Sequence, residues 1–409
     1  MDKNRSQPIE YGVRPGARTA PAVYFLSHKS GEFSSMSFKN VIAQWPAERL
    51  QGLYRSATSG DVERALSKDD LSMEDLGALL SPAAQAYLEP MAQKANRLTR
   101  WHFGRTISLY APLYISNLCA ADCVYCGFSV RSGNKEKRIT LKPDDIRQEC
   151  AALAALGYEN ILILTGEAPK AVTVAYIAEA IEIAREYFNS VSVEVFAVDE
   201  SEYRAFVEAG LEGVTLYMET YHRPTYSQVH LEGGKADYDY RLDATERAGD
   251  AGVRSLSIGA LLGLYQWQEE LLWVGLHARH LQKQCWQSSL SVSFPRLLHT
   301  PERFQVRDLV SDSNLVQGML ALRLFLPEVG FNLSTREAPS FRDKLIPLGV
   351  TAMSAGSSTR PGGYATRGKE VLEQFEIEDQ RPPSEVVQVI RDAGYDPVWK
   401  DFDRAFDRA

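Results

Sequence analysis

The sequence predicts an α/β fold: a (β/α)8 TIM-type barrel with a helical N-terminal extension and a short C-terminal extension. Three observations lead there. From residue 107 onward, eight short apolar runs alternate with longer amphipathic stretches. Gly closes the stretch before several runs, at Ala209-Gly210, Ala251-Gly252 and Leu348-Gly349, as a helix stop does. Polar, chemistry-bearing residues follow the runs, on the face where such a barrel carries its site. A partial barrel of about six strands is the open alternative.

Residues 1–35 hold scattered Arg, Pro, Gly and Ser, and Ala22–Leu26 is their longest apolar stretch, too short for a secretory signal. They are read as a disordered leader or cloning remnant, with Met36 as the natural start. Residues 36–104 form the helical extension. Ser81-Pro82 opens one of its helices, Ser as cap and Pro in the first turn, and Tyr87, Leu88 and Met91 continue it past a disturbing Pro90.

The barrel spans residues 105–380. Its strands are expected at Ile107–Ile115, Asn160–Thr165, Val191–Ala197, Gly213–Met218, Arg254–Ala260, Ser289–Phe294, Phe331–Ser334 and Val350–Ser354. Between the first of them, Pro143–Leu156 begins with Pro-Asp-Asp, suited to a helix N-terminus. Thr173–Phe188 sets Val174, Ile177, Ala178, Ile181 and Ala184 on one face. Residues 381–409 are read as a C-terminal helical extension.

A net charge of −8 gives no support to nucleic-acid or anionic-membrane binding. No apolar run approaches the roughly 18 residues that span a bilayer. A cytoplasmic location is expected.

The chemistry concentrates in Cys119-Ala-Ala-Asp-Cys123-Val-Tyr-Cys126, three of the five cysteines within eight residues. Thiolates at this spacing converge on a soft-metal centre, and three ligands leave a fourth position open. For a [4Fe–4S] cluster that leaves one iron free to bind a small molecule. Zinc is the weaker alternative, since structural zinc sites close with four ligands and no second Cys or His pair is near. A disulfide framework suits neither the odd count nor a reducing compartment. Buried structural thiols are the plain alternative. A non-catalytic iron–sulfur or zinc protein therefore stands as the rival of an enzyme. Cys150 and Cys285 lie in helical stretches and are assigned to packing.

Strand ends two, four, seven and eight read Thr165-Gly166-Glu167, Met218-Glu219-Thr220, Ser334-Thr335-Arg336-Glu337 and Ser354-Ala355-Gly356-Ser357-Ser358. Four polar ends on the rim that bears the cysteines point to a polar ligand site.

CxxxCxxC with Tyr125 before its last cysteine, after a first barrel strand, resembles the radical S-adenosylmethionine (SAM) enzymes. The resemblance implies that the open iron takes the amino and carboxylate groups of SAM, whose reductive cleavage yields a 5′-deoxyadenosyl radical. It further implies that Tyr125 packs toward the adenine and that Gly166 and Glu167 receive the methionine ammonium. Glu219 would accept the ribose hydroxyls and Arg241 would face the methionine carboxylate. Thr165 departs from the usual Gly-Gly-Glu there.

Tyr217–Tyr221, Asn332–Glu337 and Ser354–Ser357 resemble the aromatic amino-acid lyases of that family, above all the tyrosine lyases of thiazole (thiamine) biosynthesis. That branch cleaves the Cα–Cβ bond of L-tyrosine to 2-iminoacetate and p-cresol. The hydrogenase-cofactor branch adds a C-terminal cysteine motif, whereas Cys285 is the last cysteine here; a tryptophan lyase shares the barrel. The resemblance also implies flavodoxin or a ferredoxin as reductant and delivery of the product to thiazole synthase. Arg336 is the candidate for the tyrosine carboxylate, with Ser354 orienting the amine and Tyr114 lining the ring pocket.

Overall fold

The computed structural model describes residues 37–298, 300–301, 303–365 and 370–400. The leader read in residues 1–35 lies outside them. Eight strands run in sequence order: β1 (Thr106–Ser116), β2 (Asn160–Thr165), β3 (Ser190–Glu194), β4 (Gly213–Thr215), β5 (Ser255–Gly259), β6 (Ser289–Ser293), β7 (Gly330–Leu333) and β8 (Ala352–Ser354). All pair in parallel with their neighbours, and β1 pairs with both β2 and β8, which closes the ring and excludes the partial barrel. Each strand falls on an apolar run. Strands β3 and β4 stop at Glu194 and Thr215, short of Ala197 and Met218, although beyond β4 Leu216 N and Met218 N still donate to Ser257 O and Gly259 O of β5.

The two-residue period of the strands sorts their side chains. Along β1, Ile107, Leu109, Leu113 and Ile115 are fully buried in the core between strands and outer helices. The alternate residues Ser108, Tyr110, Pro112 and Tyr114 line the barrel axis. The same parity sends Ser190, Ser192 and Glu194 of β3 and Ser255 and Ser257 of β5 inward. Bulky branched side chains ordinarily fill such an axis. Here small hydroxyl residues leave it hollow. Asn332 bridges the lower part, its Nδ2 donating to Ser257 Oγ at 3.1 Å and Ser291 Oγ at 3.0 Å.

The N-terminal extension is helical as expected, with helices Ala47–Arg55, Ser59–Leu66, Met73–Leu79 and Leu88–Phe103 among its elements. Thr58 with Asp61 and Ser72 with Asp75 form reciprocal N-terminal caps on two of them. Gln317, on the barrel helix Asp312–Phe325, donates to Leu79 O at 2.9 Å and Ser81 O at 2.8 Å, tying the extension to the barrel. Pro90 does not break its helix, because it sits in the first turn, where its missing N–H has no intrahelical partner to lose.

The C-terminal extension differs from an all-helical reading. Helix Pro383–Asp392 is followed by β9 (Asp396–Val398), which pairs in parallel with Thr106–Ser108 of β1. Two or three residues give too short a pattern for strand period to show in sequence. Among the described residues no helix is long and apolar enough to cross a membrane.

Candidate active site

The cysteine loop starts where β1 breaks its ladder. The register slips between Tyr114 and Ser116, a bulge that turns the chain outward at the rim. Asn117, fully buried, then fixes the loop base: its Oδ1 accepts from Ile139 N at 2.7 Å and its Nδ2 donates to Lys137 O and Leu372 O. Arg138 donates to the carbonyls of Asn117, Phe128 and Ser129, and Arg303 donates to Cys123 O at 3.0 Å and Asp122 Oδ1 at 3.1 Å. Backbone bonds Ala120 N to Glu167 O, Asp122 N to Glu232 O and Val124 N to Val229 O anchor it on three sides. The loop is held before any ligand arrives.

Cys119, Cys123 and Cys126 are free thiols on this loop. Burial raises the pKa of all three, and Cys123 is raised further by both of its neighbours. Among the described residues no three Cys, His, Asp or Glu side chains converge on a single metal ion. A cluster does not ask for that, because each cysteine binds a different iron. The surroundings suit such a group: a Cβ on Gly166 would lie 2.2 Å from Leu118 O and 3.1 Å from Cys119 Cβ, so only Gly lets β2 approach the loop. Three softly donating thiols on one pre-held loop, with β2 packed close against Cys119 at Gly166, fit a cluster with one free iron.

Beyond the thiols lies a belt of charge. Glu219 is the one non-glycine residue with positive φ among the described residues, at 67°. Its Oε1 takes the Lys235 ammonium at 2.5 Å and lies 3.5 Å from Arg241 Nη2. Such backbone strain survives where surrounding contacts over-determine it. Glu270, buried on the helix Trp267–Gln284, does so here by accepting from Thr220 Oγ1 and from Tyr221 N at 2.9 Å. Arg241 is buried and its Nε donates to Tyr217 O at 2.9 Å. Glu167 Oε1 accepts from Lys235 N at 2.8 Å. Burial lowers the pKa of the Lys235 amine, but Glu219 more than offsets that and the net shift is upward. Tyr125 Oη meets His230 Nε2 at 2.9 Å, and its ring packs edge-on against Phe304. Gly166, Glu167, Glu219, Arg241 and Tyr125 thus gather around the thiols. Lys235, which joins Glu167 to Glu219, escaped sequence reading because its Gly-Gly-Lys loop carries no period.

On the axis below the rim opens a cavity lined by Tyr114, Arg336 and Ser354 together with Tyr110, Tyr217, Glu194 and Phe375. Arg336 lies over the Phe375 ring, 3.7 Å from its centroid, and its buried Nε has no partner. Glu337 does not neutralise it, being committed to Arg296 at 2.8 and 2.5 Å. Ser354 Oγ accepts from Thr335 N at 3.1 Å, and Tyr114 Oη donates to Gln374. Glu194 ends β3 across the barrel from Arg336, and burial, then Glu219, raises its pKa to about 7. Sequence reading passed over it, although Ser190, Ser192 and Glu194 share the inward parity. Two opposite charges facing one half-apolar cavity make a receptor for a small zwitterion with an apolar body.

Comparison with known proteins agrees with this geometry. Residues 113–272 match the Radical SAM superfamily and residues 293–396 match the Biotin and Thiamin Synthesis associated domain. The chain is 46% identical over 366 residues to 2-iminoacetate synthase of Escherichia coli (strain K12), covering 89% of this chain and 96% of the relative. It is 45% identical over 367 residues to the 2-iminoacetate synthase of Salmonella typhimurium, covering 90% and 96%. Among solved structures, HydG, a maturase of the [FeFe]-hydrogenase, superposes with a TM-score of 0.80 at 31% identity, covering 88% of this chain and 80% of that one.

Proposed function

The chain belongs to the 2-iminoacetate synthase family of radical SAM enzymes, and we propose that it cleaves the Cα–Cβ bond of L-tyrosine to 2-iminoacetate and p-cresol. The product would serve the thiazole moiety of thiamine. The observation that carries this reading is identity of 46% sustained over 96% of a relative bearing that name.

Cys119, Cys123 and Cys126 would hold a [4Fe–4S] cluster and the charged belt would hold SAM; when bound, these groups supply the one-electron chemistry that starts a radical in the cavity. Glu167 would take the methionine ammonium beside Gly166, Glu219 the ribose diol and Arg241 the methionine carboxylate. Tyr125, pinned by His230, would cover the adenine. In the cavity Arg336 binds the tyrosine carboxylate, a planar fork suited to bidentate capture. Ser354 orients the amine and Tyr114 walls the ring. Loop and barrel would keep stray hydrogen-atom donors from a radical and limit hydrolysis of the imine product. An external flavodoxin- or ferredoxin-type donor would supply the electron, and a thiazole synthase would receive the imine. Hydrolysis of a free imine makes direct transfer useful.

The test is an anaerobic assay of cluster-reconstituted protein with SAM, reductant and tyrosine, following 5′-deoxyadenosine and p-cresol together. Both should form, and Cys123→Ala should abolish both. Deoxyadenosine without p-cresol would replace the substrate, with tryptophan tried next. Neither product from an intact cluster would overturn the enzyme.

A further inference from the structure

Among the described residues, Glu194 and Arg336 are the two charged side chains lining the axial cavity that have no hydrogen-bond or ion-pair partner. Arg336 follows β7 and Glu194 ends β3, strands diametrically opposed in an eight-stranded ring ordered β2 to β8 with β1 closing it. They line the same cavity and sense one another's charge, yet no ion pair or hydrogen bond joins them. Among the described residues neither side chain has another such partner. Both are half-buried, and partial desolvation of a charge without a partner is costly. The cost makes sense where a ligand completes both. A carboxylate and a guanidinium held apart across a cavity match the ammonium and carboxylate of one amino acid.

We propose that Glu194 is the group that receives the ammonium of the tyrosine substrate, opposite Arg336 on its carboxylate, and that it takes one proton from that nitrogen. The proposal rests on the tyrosine-lyase reading above and adds to it a residue and a protonation state. The proton moves from the ammonium nitrogen to a Glu194 carboxylate oxygen, leaving a neutral amine and a carboxylic acid; no other bond changes. The groups that face Glu194 bear on this. Tyr110 and Tyr114 approach from β1, Tyr217 and Glu219 from beyond β4, Arg336 from beyond β7, with Lys235 and Arg241 behind Glu219. Lys235 and Arg241 are already bonded to Glu219 and Tyr217 O, so they do not neutralise Glu194. Burial raises the carboxyl toward neutrality, to about 7, which suits a group that shares a proton with an amine.

The experiment compares tyrosine with its des-amino analogue, 3-(4-hydroxyphenyl)propionate, by anaerobic equilibrium dialysis against cluster-reconstituted enzyme with SAM bound. Glu194→Gln should weaken tyrosine binding by roughly 30-fold and leave the analogue within about twofold. Ionisation of Glu194 near pH 7 should shape kcat/KM, which rises from pH 6 to 8 in the unaltered enzyme and flattens in Glu194→Gln. Glu194→Asp, which keeps the charge, should retain part of the discrimination. Equal loss for tyrosine and analogue would place Glu194 on the phenol or the ring and overturn the proposal. So would unchanged tyrosine binding, or a loss confined to SAM affinity. Should the unaltered enzyme itself neither bind nor cleave tyrosine, the tyrosine reading falls first, by a separate control.

Discussion

Two arginines six residues apart, one fully buried and one half-buried, live in opposite circumstances. Arg342, on the helix Pro339–Leu345, is completely buried and donates through both outer nitrogens, to Asp379 and to Ser354 O at 2.5 Å. Asp379 is held in turn by Arg381 at 2.7 Å, and Arg381 also reaches Asp343 at 2.8 Å. Arg336, on the rim, has an aromatic ring beneath it and, among the described residues, no counter-charge bonded to it. The difference separates charges that hold the fold from charges that wait for a ligand. A structural ion is satisfied in the empty protein, since leaving it bare would cost several kcal/mol of a net stability that is itself small. A ligand-binding ion is left bare and recovers that cost on binding.

The comparison breaks if the two arginines respond alike. Arg342→Met should lose about 2–3 kcal/mol of stability, because it takes one of two guanidinium partners from the buried Asp379 and leaves Ser354 O without its donor. The check is a denaturant titration read by tryptophan fluorescence, with the midpoint falling and the slope unchanged. Arg336→Met should do the reverse: about 2–5 kcal/mol is lost from kcat/KM for tyrosine, while the unfolding midpoint holds or rises, because an unpartnered desolvated charge has been removed. A stability loss from Arg336→Met as large as that from Arg342→Met would show Arg336 to be structural.

The lower half of the axis sharpens the contrast from the neutral side. Ser257 and Ser291 share one Asn332 amide, so each is a replaceable acceptor rather than a sole partner. Ser257→Ala should cost about 1 kcal/mol or less of stability and leave turnover unchanged within about twofold. A large effect on turnover would extend the functional cavity below Tyr110.

What was legible in the sequence follows the same division. Strand and helix positions were legible because burial against the outer helices imposes a period: Ile107, Leu109, Leu113 and Ile115 announce β1. The cysteine loop was legible by spacing, and Glu219, Arg241 and Arg336 by resemblance. Glu194 was missed although its parity was visible, because a lone Glu at a strand end reads as solvated. Lys235 was missed for a firmer reason: its partners Glu167 and Glu219 lie 68 and 16 residues away. The pairing of β9 with β1 spans almost 300 residues, and three residues carry no period to announce it.

The finest distinction concerns Tyr114, which faces the cavity yet resembles Arg342 more than Arg336. Its hydroxyl is already given to Gln374, and its ring meets Phe128 edge-on at 6.0 Å. With its one proton committed within the protein, the hydroxyl has no donor left for a ligand, so the ring should matter more than the hydroxyl to tyrosine. Tyr114→Phe should therefore change kcat/KM by less than about fivefold and lose about 1 kcal/mol of stability through the orphaned Gln374. Tyr114→Leu, which removes the wall, should raise KM more than it lowers kcat, the sign of lost uniform binding. A fall in kcat from Tyr114→Phe, with KM steady, would show that the hydroxyl leaves Gln374 when substrate arrives and would move Tyr114 to the side of Arg336.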